Sequence, residues 1–331
     1  MKVAEKKVKR ILFISLTNIG DIVLTTPVVG VLRERFPGAR IDVIVGPNGS
    51  EIFHKNPGIF KVVEYNKYVP LLAKKRIVRK LRRVGYDLIV DLRNSMFPLL
   101  IGSKYRTSPI QGVSKRLHHK KSQHLRKLDS LGLRVGDAPF YLHVPRVDRE
   151  DVARMMSSLE TGEPVVAVAP GAKSSIKRWH TAGFAEVIKR LIEEAKAKVI
   201  LVGDSQDKSI ARDIKLFLGT DITDLCGRTS LCQLAAVVEG TDLLITNDSA
   251  PLHIAGAVGT DVLAIFGPTD PREYGPTGPG DRVIRAGLKC SPCNRAQCLH
   301  NHECMKNITP DEVFTAARDM LKKGKKPEKA I

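Results

Sequence analysis

The chain has 331 residues, of which 43% are hydrophobic, and a formal net charge of +19 at neutral pH. This length exceeds what one hydrophobic core usually serves, so we expect two domains. No run of roughly 18 uncharged apolar residues occurs, so the sequence predicts no membrane-spanning helix. The basic start MKVAEKKVKR leads directly into the apolar run ILFISL, with no small-residue cleavage site. We therefore expect a first core strand instead of a signal peptide, and a cytoplasmic protein.

The positive charge is concentrated in the first half of the chain. Residues 1–150 carry 30 Lys and Arg against 12 Asp and Glu, whereas the remainder carries 24 against 23. General solubility is the alternative explanation, but it would not segregate the charge. The asymmetry indicates an anionic partner for the first half: nucleic acid, anionic lipid or a phosphorylated glycan.

Short apolar runs alternate with helical patterns along the first half. After the strand at 11–16, DIVLTTPVVGVLRERFP has helical spacing, and YVPLLAKKRIVRKLRRVGY contains a basic amphipathic helix. Residues 104–128 are basic and lack a clear period, so we predict a loop followed by the start of a helix there. Further strands are predicted at 40–46, 61–66 and 87–92.

The alternation restarts after a break around Pro145. Strands are predicted at 164–171, 198–204 and 261–267, and another ends LAAVVEGTDLLITND. This pattern is typical of doubly wound parallel sheets, so the fold class is α/β with two Rossmann-like halves. The boundary near residue 148 gives domains 1–148 and 149–331. Ligands bind just past the carboxyl ends of parallel strands, so we expect the site in a cleft between the halves.

Asp21 stands in the turn between the first strand and the first helix. One interpretation is structural: an Asp at this place caps the helix, because its carboxylate accepts backbone N–H bonds. The other interpretation is functional, as a general base held at the cleft.

Two polar stretches of the second half are suited to a diphosphate. PGAKSSIKRWH offers two hydroxyls and the ammonium of Lys177, in an order that is not a Walker A loop. In TNDSAPLHIAGAVG, Ser249 and Pro251 begin a helix directly after a strand, and the free N–H groups of a helix N-terminus bind anions. The structural alternatives are a solvated turn for the first stretch and a capped core helix with a buried His253 for the second.

Four of the six cysteines cluster near the end of the chain, at Cys290, Cys293, Cys298 and Cys304. In a cytoplasmic chain this spacing is compatible with a structural zinc ion, although a zinc ribbon has a different second pair. Free or disulfide-prone thiols are the alternative. Four thiolates would leave no open position on a metal, so no metal is assigned to catalysis.

Taken together, these motifs resemble those of glycosyltransferase family 9, the ADP-heptose:lipopolysaccharide heptosyltransferases. The resemblance is carried by ILFISLTNIGDIVLTTPVV, APGAKSSIKRW, VILVGDSQD and LCGRTSLCQLAAVVEGTDLLITNDSAPLHIAGAVGTDVLAIFGPTDP, and it covers almost the whole chain. It implies the GT-B fold, in which two Rossmann-like domains face each other across a cleft. The first domain would take the acceptor and the second the nucleotide sugar. The last helix, at about 309–323, would cross back to the first domain.

The resemblance also implies roles for individual residues. Asp21 would be the general base of an inverting transfer, Lys177 would contact the phosphates of ADP-heptose, and Asp207 would approximate the acidic residue that holds the ribose. No bound metal would be essential, because a lysine and a helix dipole would replace it. The remaining donor-binding residues would be Ser174, Ser175, Asp248, Ser249, Ala250, Pro251, Leu252 and His253. The acceptor-binding residues would be Asn18, Arg93, Lys115 and Arg116, of which Arg93 stands where the family commonly has Gln.

The acceptor that the resemblance implies is the anionic lipid A–Kdo core, presented at the inner face of the inner membrane. The basic first half would bind its carboxylates and phosphates, or the surface of the inner leaflet. We expect no nucleic-acid partner, because aromatic residues for base stacking are only scattered in this half. Three alternatives stay open: a transferase of the same fold with another nucleotide sugar, a non-enzymatic polyanion-binding protein, and a glycosidase with paired carboxylates.

Overall fold

The computed structural model describes residues 3, 7–108, 119–159, 162–220 and 222–323. The chain forms two compact units, Met1–His143 and Val144–Ile331. Their boundary precedes the one predicted near residue 148. The reason is local: a single helix, Arg146–Met156, begins directly after Pro145, so the chain cannot change domain within it.

The first unit is built on a five-stranded parallel sheet. Its strands are β1 (Arg10–Ile14), β2 (Arg40–Val45), β3 (Lys61–Glu64), β4 (Leu88–Asp91) and β5 (Tyr105–Arg106). Its helices are α1 (Ile19–Arg35), α2 (Glu51–His54), α3 (Leu71–Arg82), α4 (Phe97–Ile101) and α5 (Lys120–Arg126). The strand order is β3-β2-β1-β4-β5, so the chain moves outward from β1 to β3 and then returns to the other side of β1.

The second unit is built on a six-stranded parallel sheet. Its strands are β6 (Val165–Ala169), β7 (Lys198–Leu201), β8 (Thr223–Asp224), β9 (Leu243–Asn247), β10 (Asp261–Ile265) and β11 (Arg282–Ile284). Its helices are α6 (Arg146–Met156), α7 (Thr181–Glu193), α8 (Lys208–Leu218), α9 (Leu231–Glu239), α10 (Ala250–Val258), α11 (Pro271–Tyr274), α12 (Glu303–Lys306) and α13 (Pro310–Lys323). The order β11-β10-β9-β6-β7-β8 reverses between β6 and β9.

Every strand predicted from the sequence is present, and the α/β class with parallel sheets is confirmed. The short strands β5, β8 and β11 were not predicted, because a strand of two or three residues is too short to show an alternating pattern. Among the residues described, none of the helices is long and apolar enough to cross a membrane.

Helix α1 is buried along most of its length. Its apolar residues surround the axis instead of forming a stripe, which is typical of a helix enclosed by a core. Pro27 lies inside the helix and has no N–H to give to the carbonyl of Val23. The hydroxyl of Thr26 donates to that carbonyl instead, at 2.8 Å. The helix therefore continues past the proline and keeps its first turn at the end of β1.

Helix α13 packs on the second unit, against α7 and the neighbouring strands. Val313, Phe314, Ala317 and Met320 lie in the hydrophobic core of that unit. That the last helix crosses back to the first domain stays a prediction.

Candidate active site

Most of the predicted site residues lie at the two points where the strand order reverses; the exceptions are Asp207, which follows β7, and Lys115 and Arg116, which fall outside the described residues. In the first sheet these points are the loops after β1 and β4, and in the second sheet the loops after β6 and β9. At such a switch point, successive connections leave for opposite faces of the sheet and open a crevice at the carboxyl ends of the strands. Each unit therefore carries its own candidate binding crevice.

In the first unit, Asn18 and Asp21 follow β1. Asn18 occupies the N-cap position of α1, but its side chain does not cap the helix. Its Nδ2 instead donates to Oδ2 of Asp21 at 3.0 Å. Asp21 is half-buried in the first turn, where the helix dipole favours a negative charge. The helix-cap interpretation of Asp21 is therefore wrong, and its carboxylate is oriented by a neighbouring amide.

Arg93 lies in the loop after β4, which is organised by the buried carboxylate of Asp91. That carboxylate accepts hydrogen bonds from the backbone N–H of Arg93 at 2.8 Å and from the N–H and hydroxyl of Ser95 at 2.7 and 2.8 Å. The guanidinium of Arg93 lies 5.1 Å from the centre of the Tyr65 ring. Lys115 and Arg116 fall outside the described residues.

In the second unit, the loop after β6 carries Lys177 to the end of β9. Ser174 precedes a short 3-10 turn, Ser175–Lys177, whose central residue Ile176 is buried. The ammonium of Lys177 lies 2.6 Å from Oδ2 of Asp248. The Lys177 side chain is 28% exposed and that of Asp248 only 6%. The Lys177 ammonium is thus accessible to a ligand, and the buried carboxylate of Asp248 keeps it in position.

Helix α10 begins directly behind this ion pair. Ser249 is its N-cap residue in an extended conformation, and Pro251 occupies the first turn. The hydroxyl of Ser249 lies 3.1 Å from that of Thr246 and does not cap the helix. The N–H groups of Ala250 and Leu252 belong to the first turn, where a helix has no internal acceptor for them. The dipole and these N–H groups favour an anion here.

Leu252 and His253 are buried, with exposures of 1% and 6%. Their side chains therefore pack in the core beneath α10, and these two residues can contribute to the site only through the backbone of the helix. This agrees with the structural interpretation of His253 given above.

Asp207 lies against the loop after β6. Its carboxylate fills the space beside Gly171, where any side chain would overlap it. Its Oδ2 accepts the backbone N–H of Asp204 at 3.0 Å and completes a capping box. Burial raises the pKa of this carboxyl, and the backbone bond and nearby Arg178 oppose that rise. Contact with a ribose stays a prediction for Asp207.

Comparison with known proteins assigns the chain to a family. The family model for "Glycosyltransferase family 9 (heptosyltransferase)" matches residues 74–303, more than half of the chain. The chain belongs to glycosyltransferase family 9. It is 27% identical over 332 residues to lipopolysaccharide heptosyltransferase 3 of Escherichia coli K12, covering 91% of this chain and 95% of that protein.

Solved structures share the fold. A glycosyltransferase family 9 protein of Veillonella parvula has a TM-score of 0.83 at 21% identity, covering 96% of this chain and 98% of that one. The ADP-heptose lipopolysaccharide heptosyltransferase II of E. coli has a TM-score of 0.76 at 23% identity, covering 95% and 99%. The family 9 chain described here is therefore a glycosyltransferase with the GT-B fold.

Three residues that sequence reasoning missed complete the crevice of the second unit. The hydroxyl of Thr269 donates to Oδ2 of Asp248 at 2.6 Å, and the Tyr274 ring lies 5.9 Å from the ammonium of Lys177. The fully buried side-chain amide of Asn247 accepts the backbone N–H of Trp179 at 3.0 Å and donates to the Pro170 carbonyl at 2.8 Å. It thereby fastens the loop after β6 to the end of β9. Asn247 ends β9 in LLITND and Thr269 follows β10 in FGPTDP, and this position is the signal that could have found these two.

The four clustered cysteines line one cavity, together with Ile176 and Pro268. All are free thiols in this structure. Burial raises the pKa of Cys304, and the other three cysteines of the cluster raise it further. Cys298 Sγ accepts backbone N–H groups of His300 and His302 at 3.3 and 3.2 Å. Over the described part of the chain, no three Cys, His, Asp or Glu side chains form a group able to hold a metal ion, and structural zinc stays a prediction.

Proposed function

We propose that this chain transfers a heptose from ADP-heptose to the inner core of lipopolysaccharide, with inversion of configuration and with Asp21 as the general base. The observation that carries the proposal is the Lys177–Asp248 pair at the N-terminus of α10, a preformed anion site at a switch point. The chain's similarity to lipopolysaccharide heptosyltransferase 3 and to the ADP-heptose lipopolysaccharide heptosyltransferase II of E. coli supports the choice of sugar and acceptor.

On the donor side, the diphosphate would lie against Lys177 and the first turn of α10. Cleavage of the bond between the sugar and ADP leaves negative charge on the departing phosphate. The ammonium and the N–H groups of Ala250 and Leu252 would stabilise that charge, which is the main electrostatic requirement of the step. Asp248 would keep the ammonium in place, because its carboxylate is fixed by the hydroxyl of Thr269.

On the acceptor side, Asp21 would take the proton of the attacking hydroxyl. Asn18 engages Oδ2 of Asp21, so Oδ1 would face the acceptor. The hydroxyl oxygen would form its bond to the anomeric carbon on the face opposite ADP, while the bond to the phosphate oxygen breaks. The proton ends on Asp21, the heptose on the acceptor, and the configuration is inverted.

The acceptor is proposed to be the anionic lipid A–Kdo core, reached from the inner face of the inner membrane. Helix α3 supports this proposal. Leu71 and Leu72 are 67% and 71% exposed in its first turn, and Tyr68 just before them is 81% exposed. The same helix ends in a run of exposed cations at Arg79, Lys80, Arg82 and Arg83. Exposed apolar side chains beside basic ones are typical of a surface that rests on anionic lipid.

The donor is tested by calorimetric titration of the protein with ADP, ADP-heptose, GDP-mannose and UDP-glucose. We expect binding of ADP and ADP-heptose. Tight binding of a different nucleotide would keep the transferase and discard the heptose. Failure of all four to bind would favour the polyanion-binding alternative.

The base is tested with Asp21→Asn, which keeps the shape of the side chain and its neighbour Asn18. We expect kcat to fall by roughly 100-fold or more, while ADP binding is unchanged, because general-base catalysis contributes about 10²–10⁴-fold. Transfer at the rate of the unaltered protein would rule out Asp21 as the base. Analysis of the product by NMR shows whether the configuration is inverted.

The membrane surface is tested by co-sedimentation with vesicles of phosphatidylglycerol and phosphatidylethanolamine. Each basic side chain near such a surface contributes roughly 1 kcal/mol, so the double variant Arg79→Gln/Lys80→Gln should bind about 30-fold more weakly. The matched control is Lys189→Gln/Lys322→Gln, which removes two exposed charges from the second unit. Equal losses in both variants, or binding that survives high salt, would count against the proposal.

A further inference from the structure

The cysteine loop, residues 290–304, lies beside the loops that build the crevice of the second unit. The residues that line one cavity include the four cysteines of this loop and one residue from each of two crevice loops: Cys290, Cys293, Cys298, Cys304, Ile176 and Pro268. Ile176 directly precedes Lys177, and Pro268 directly precedes Thr269. A rearrangement of the cysteines is therefore positioned to act on the neighbours of the Lys177 ammonium and the Thr269 hydroxyl.

Two hydrogen bonds attach the cysteine loop to the segment after β10. The carbonyl of Pro268 accepts the backbone N–H groups of Cys293 at 2.9 Å and of Asn294 at 2.8 Å. The next residue of this segment is Thr269, whose hydroxyl donates to Oδ2 of Asp248 at 2.6 Å. A displacement of the cysteine loop therefore reaches the buried carboxylate of the ion pair through two consecutive residues.

Cys304 packs against the same segment from the core. Its exposure is 7%, and its Sγ lies 3.1 Å from the place that a Cβ atom would take on Gly267, the residue before Pro268. The side chain of Met305 fills the rest of that space. Because protein interiors are close-packed, a shift of the Cys304 sulfur must be accommodated by the backbone at Gly267 or by Met305.

Cys298 is the cysteine best placed to react with Cys304. Burial raises the pKa of Cys304, and Cys298 adds more to that rise than either of the other two cysteines of the loop. Sγ of Cys298 also accepts the backbone N–H groups of His300 and His302, at 3.3 and 3.2 Å. His302 is the N-cap residue of α12, the helix that carries Cys304. The Cys298 sulfur is therefore fastened to the turn that leads into Cys304.

The two thiols differ in their access to solvent. Cys298 is half-buried and stands between the exposed residues Gln297 and Leu299, whereas Cys304 is buried. Only a thiolate attacks an oxidant, and burial together with the raised pKa keeps Cys304 from reacting first. An oxidant from solvent therefore meets Cys298 before Cys304.

We propose that Cys298 and Cys304 form a modification site, which a peroxide converts into a reversible disulfide and which then weakens nucleotide binding at Lys177. With hydrogen peroxide, the thiolate of Cys298 attacks one oxygen and the O–O bond breaks. The departing hydroxide takes up the proton that Cys298 gave up, so the products are a sulfenic acid and one water. The part that concerns the nucleotide rests on the proposed function.

The second step closes the disulfide. The Cys304 sulfur attacks the sulfenic sulfur of Cys298, and the hydroxyl leaves with the Cys304 proton as a second water. Two thiols are thereby oxidised by two electrons, and one hydrogen peroxide is reduced to two waters. The step is intramolecular, which compensates for the small thiolate fraction of Cys304.

Disulfide formation has to move at least one of the two sulfurs. An S–S bond is about 2.05 Å long, well inside the contact distance of two free thiols. The Cys304 sulfur therefore shifts relative to Gly267, or the Cys298 sulfur shifts relative to its two N–H donors. Either movement displaces the cysteine loop, and with it the segment that carries the Thr269 hydroxyl.

The modification is tested by treating the protein with a small molar excess of hydrogen peroxide, alkylating the remaining thiols after unfolding and mapping the disulfides by peptide mass spectrometry. We expect one disulfide, between Cys298 and Cys304. Cys226 and Cys232 lie outside the loop, are each 1% exposed and should stay reduced. A disulfide between any other pair, a sulfinic acid without a disulfide, or a bound metal that shields the four thiols from peroxide would overturn the proposal.

The consequence is measured by calorimetric titration with ADP before and after oxidation. The oxidised protein should bind ADP about fivefold more weakly, because Asp248 loses the hydrogen bond of Thr269, and dithiothreitol should restore the affinity. Dithiothreitol does not reduce methionine sulfoxide, so reversal assigns the effect to thiols. An unchanged affinity in the disulfide-bonded protein would overturn the coupling to the crevice.

Two serine variants show which thiols are responsible. Cys298→Ser should bind ADP as the unaltered protein does and should show no change with peroxide. The matched control is Cys293→Ser, which removes an exposed cysteine of the same loop and should respond to peroxide like the unaltered protein. An equal response of the two variants would refute the assignment of Cys298.

The proposed function can fail without the modification failing. If ADP does not bind even the reduced protein, the emission of Trp179 still tests the coupling, because this residue lies two positions after Lys177 and its indole N–H donates to the Ile308 carbonyl at 3.0 Å. A change on oxidation that dithiothreitol reverses and that Cys298→Ser lacks would retain the site and its coupling. Unchanged emission in the disulfide-bonded protein would reject the coupling.

Discussion

Replacement of Lys177 by alanine is the most informative single perturbation of the second unit. Its ammonium lies 2.6 Å from a carboxylate that is 6% exposed. Breaking a fully buried ion pair costs about 3–5 kcal/mol, because it leaves an uncompensated buried charge. Lys177 is 28% exposed and Thr269 still donates to Asp248, so we expect a smaller loss of unfolding free energy, about 2–3 kcal/mol.

The effect on ADP binding has two parts. Lys177→Ala removes one charge-assisted contact with the diphosphate, and it also exposes the diphosphate to the now unpaired carboxylate of Asp248. Together these should weaken binding by about 100-fold, which corresponds to roughly 2.7 kcal/mol. In the double variant Lys177→Ala/Asp248→Asn the repulsion is gone, so ADP should bind about tenfold more tightly than to Lys177→Ala alone.

The assay is calorimetric titration with ADP, combined with urea unfolding followed by tryptophan fluorescence. Trp179 is the only tryptophan in the chain and is buried in the second unit, so its emission reports that unit. Lys189→Ala is the control, because it removes an exposed lysine of the same unit. ADP binding by Lys177→Ala within threefold of the control, or a double variant that binds more weakly than the single one, would refute the reasoning.

Three further outcomes are expected. Thr269→Val should lower the unfolding free energy by about 1–2 kcal/mol and weaken ADP binding severalfold, because Asp248 loses a hydrogen bond. Thr269→Ser keeps the hydroxyl and should restore both the stability and the binding. Equal behaviour of the two variants in the same assays would contradict this. The pKa of His124 is about 4 in the folded protein, mainly through burial, and 6.5 when unfolded, so the unfolded state binds its proton first. Stability should therefore be full above pH 6.5 and decline by up to about 3 kcal/mol as the pH falls toward 4; His124→Gln should flatten this decline in urea titrations, and identical slopes would argue against it. Dialysis against EDTA should leave the transfer rate within about twofold of that of the undialysed protein, because Lys177 and the first turn of α10 supply the positive charge at the diphosphate. A loss of activity that added zinc reverses would show that the cysteine cluster binds a metal on which activity depends.

The sequence was sufficient for the fold and for most of the candidate site, because both depend on short-range pattern. Short apolar runs such as ILFISL, followed closely by turn residues, favour buried strands, and helical patterns lie between them. Residues just past such strands must collect at one edge of a parallel sheet. Asp21, Lys177 and Asp248 were found in this way, and the structure places each of them at a switch point.

The tertiary structure decided what depends on neighbours far apart in the chain. Asp21 is no helix cap, because Asn18 occupies that position, and α13 lies on the second unit because its apolar face is complementary to the core there. The partnership of Lys177 with Asp248 joins residues that no local pattern relates. Lys127 stands in a segment without clear periodicity, and only folding buries its side chain beside Asn94. Sequence pattern determines which residues reach an edge of a sheet, whereas desolvation and pairing, which set their chemistry, exist only once the chain has packed.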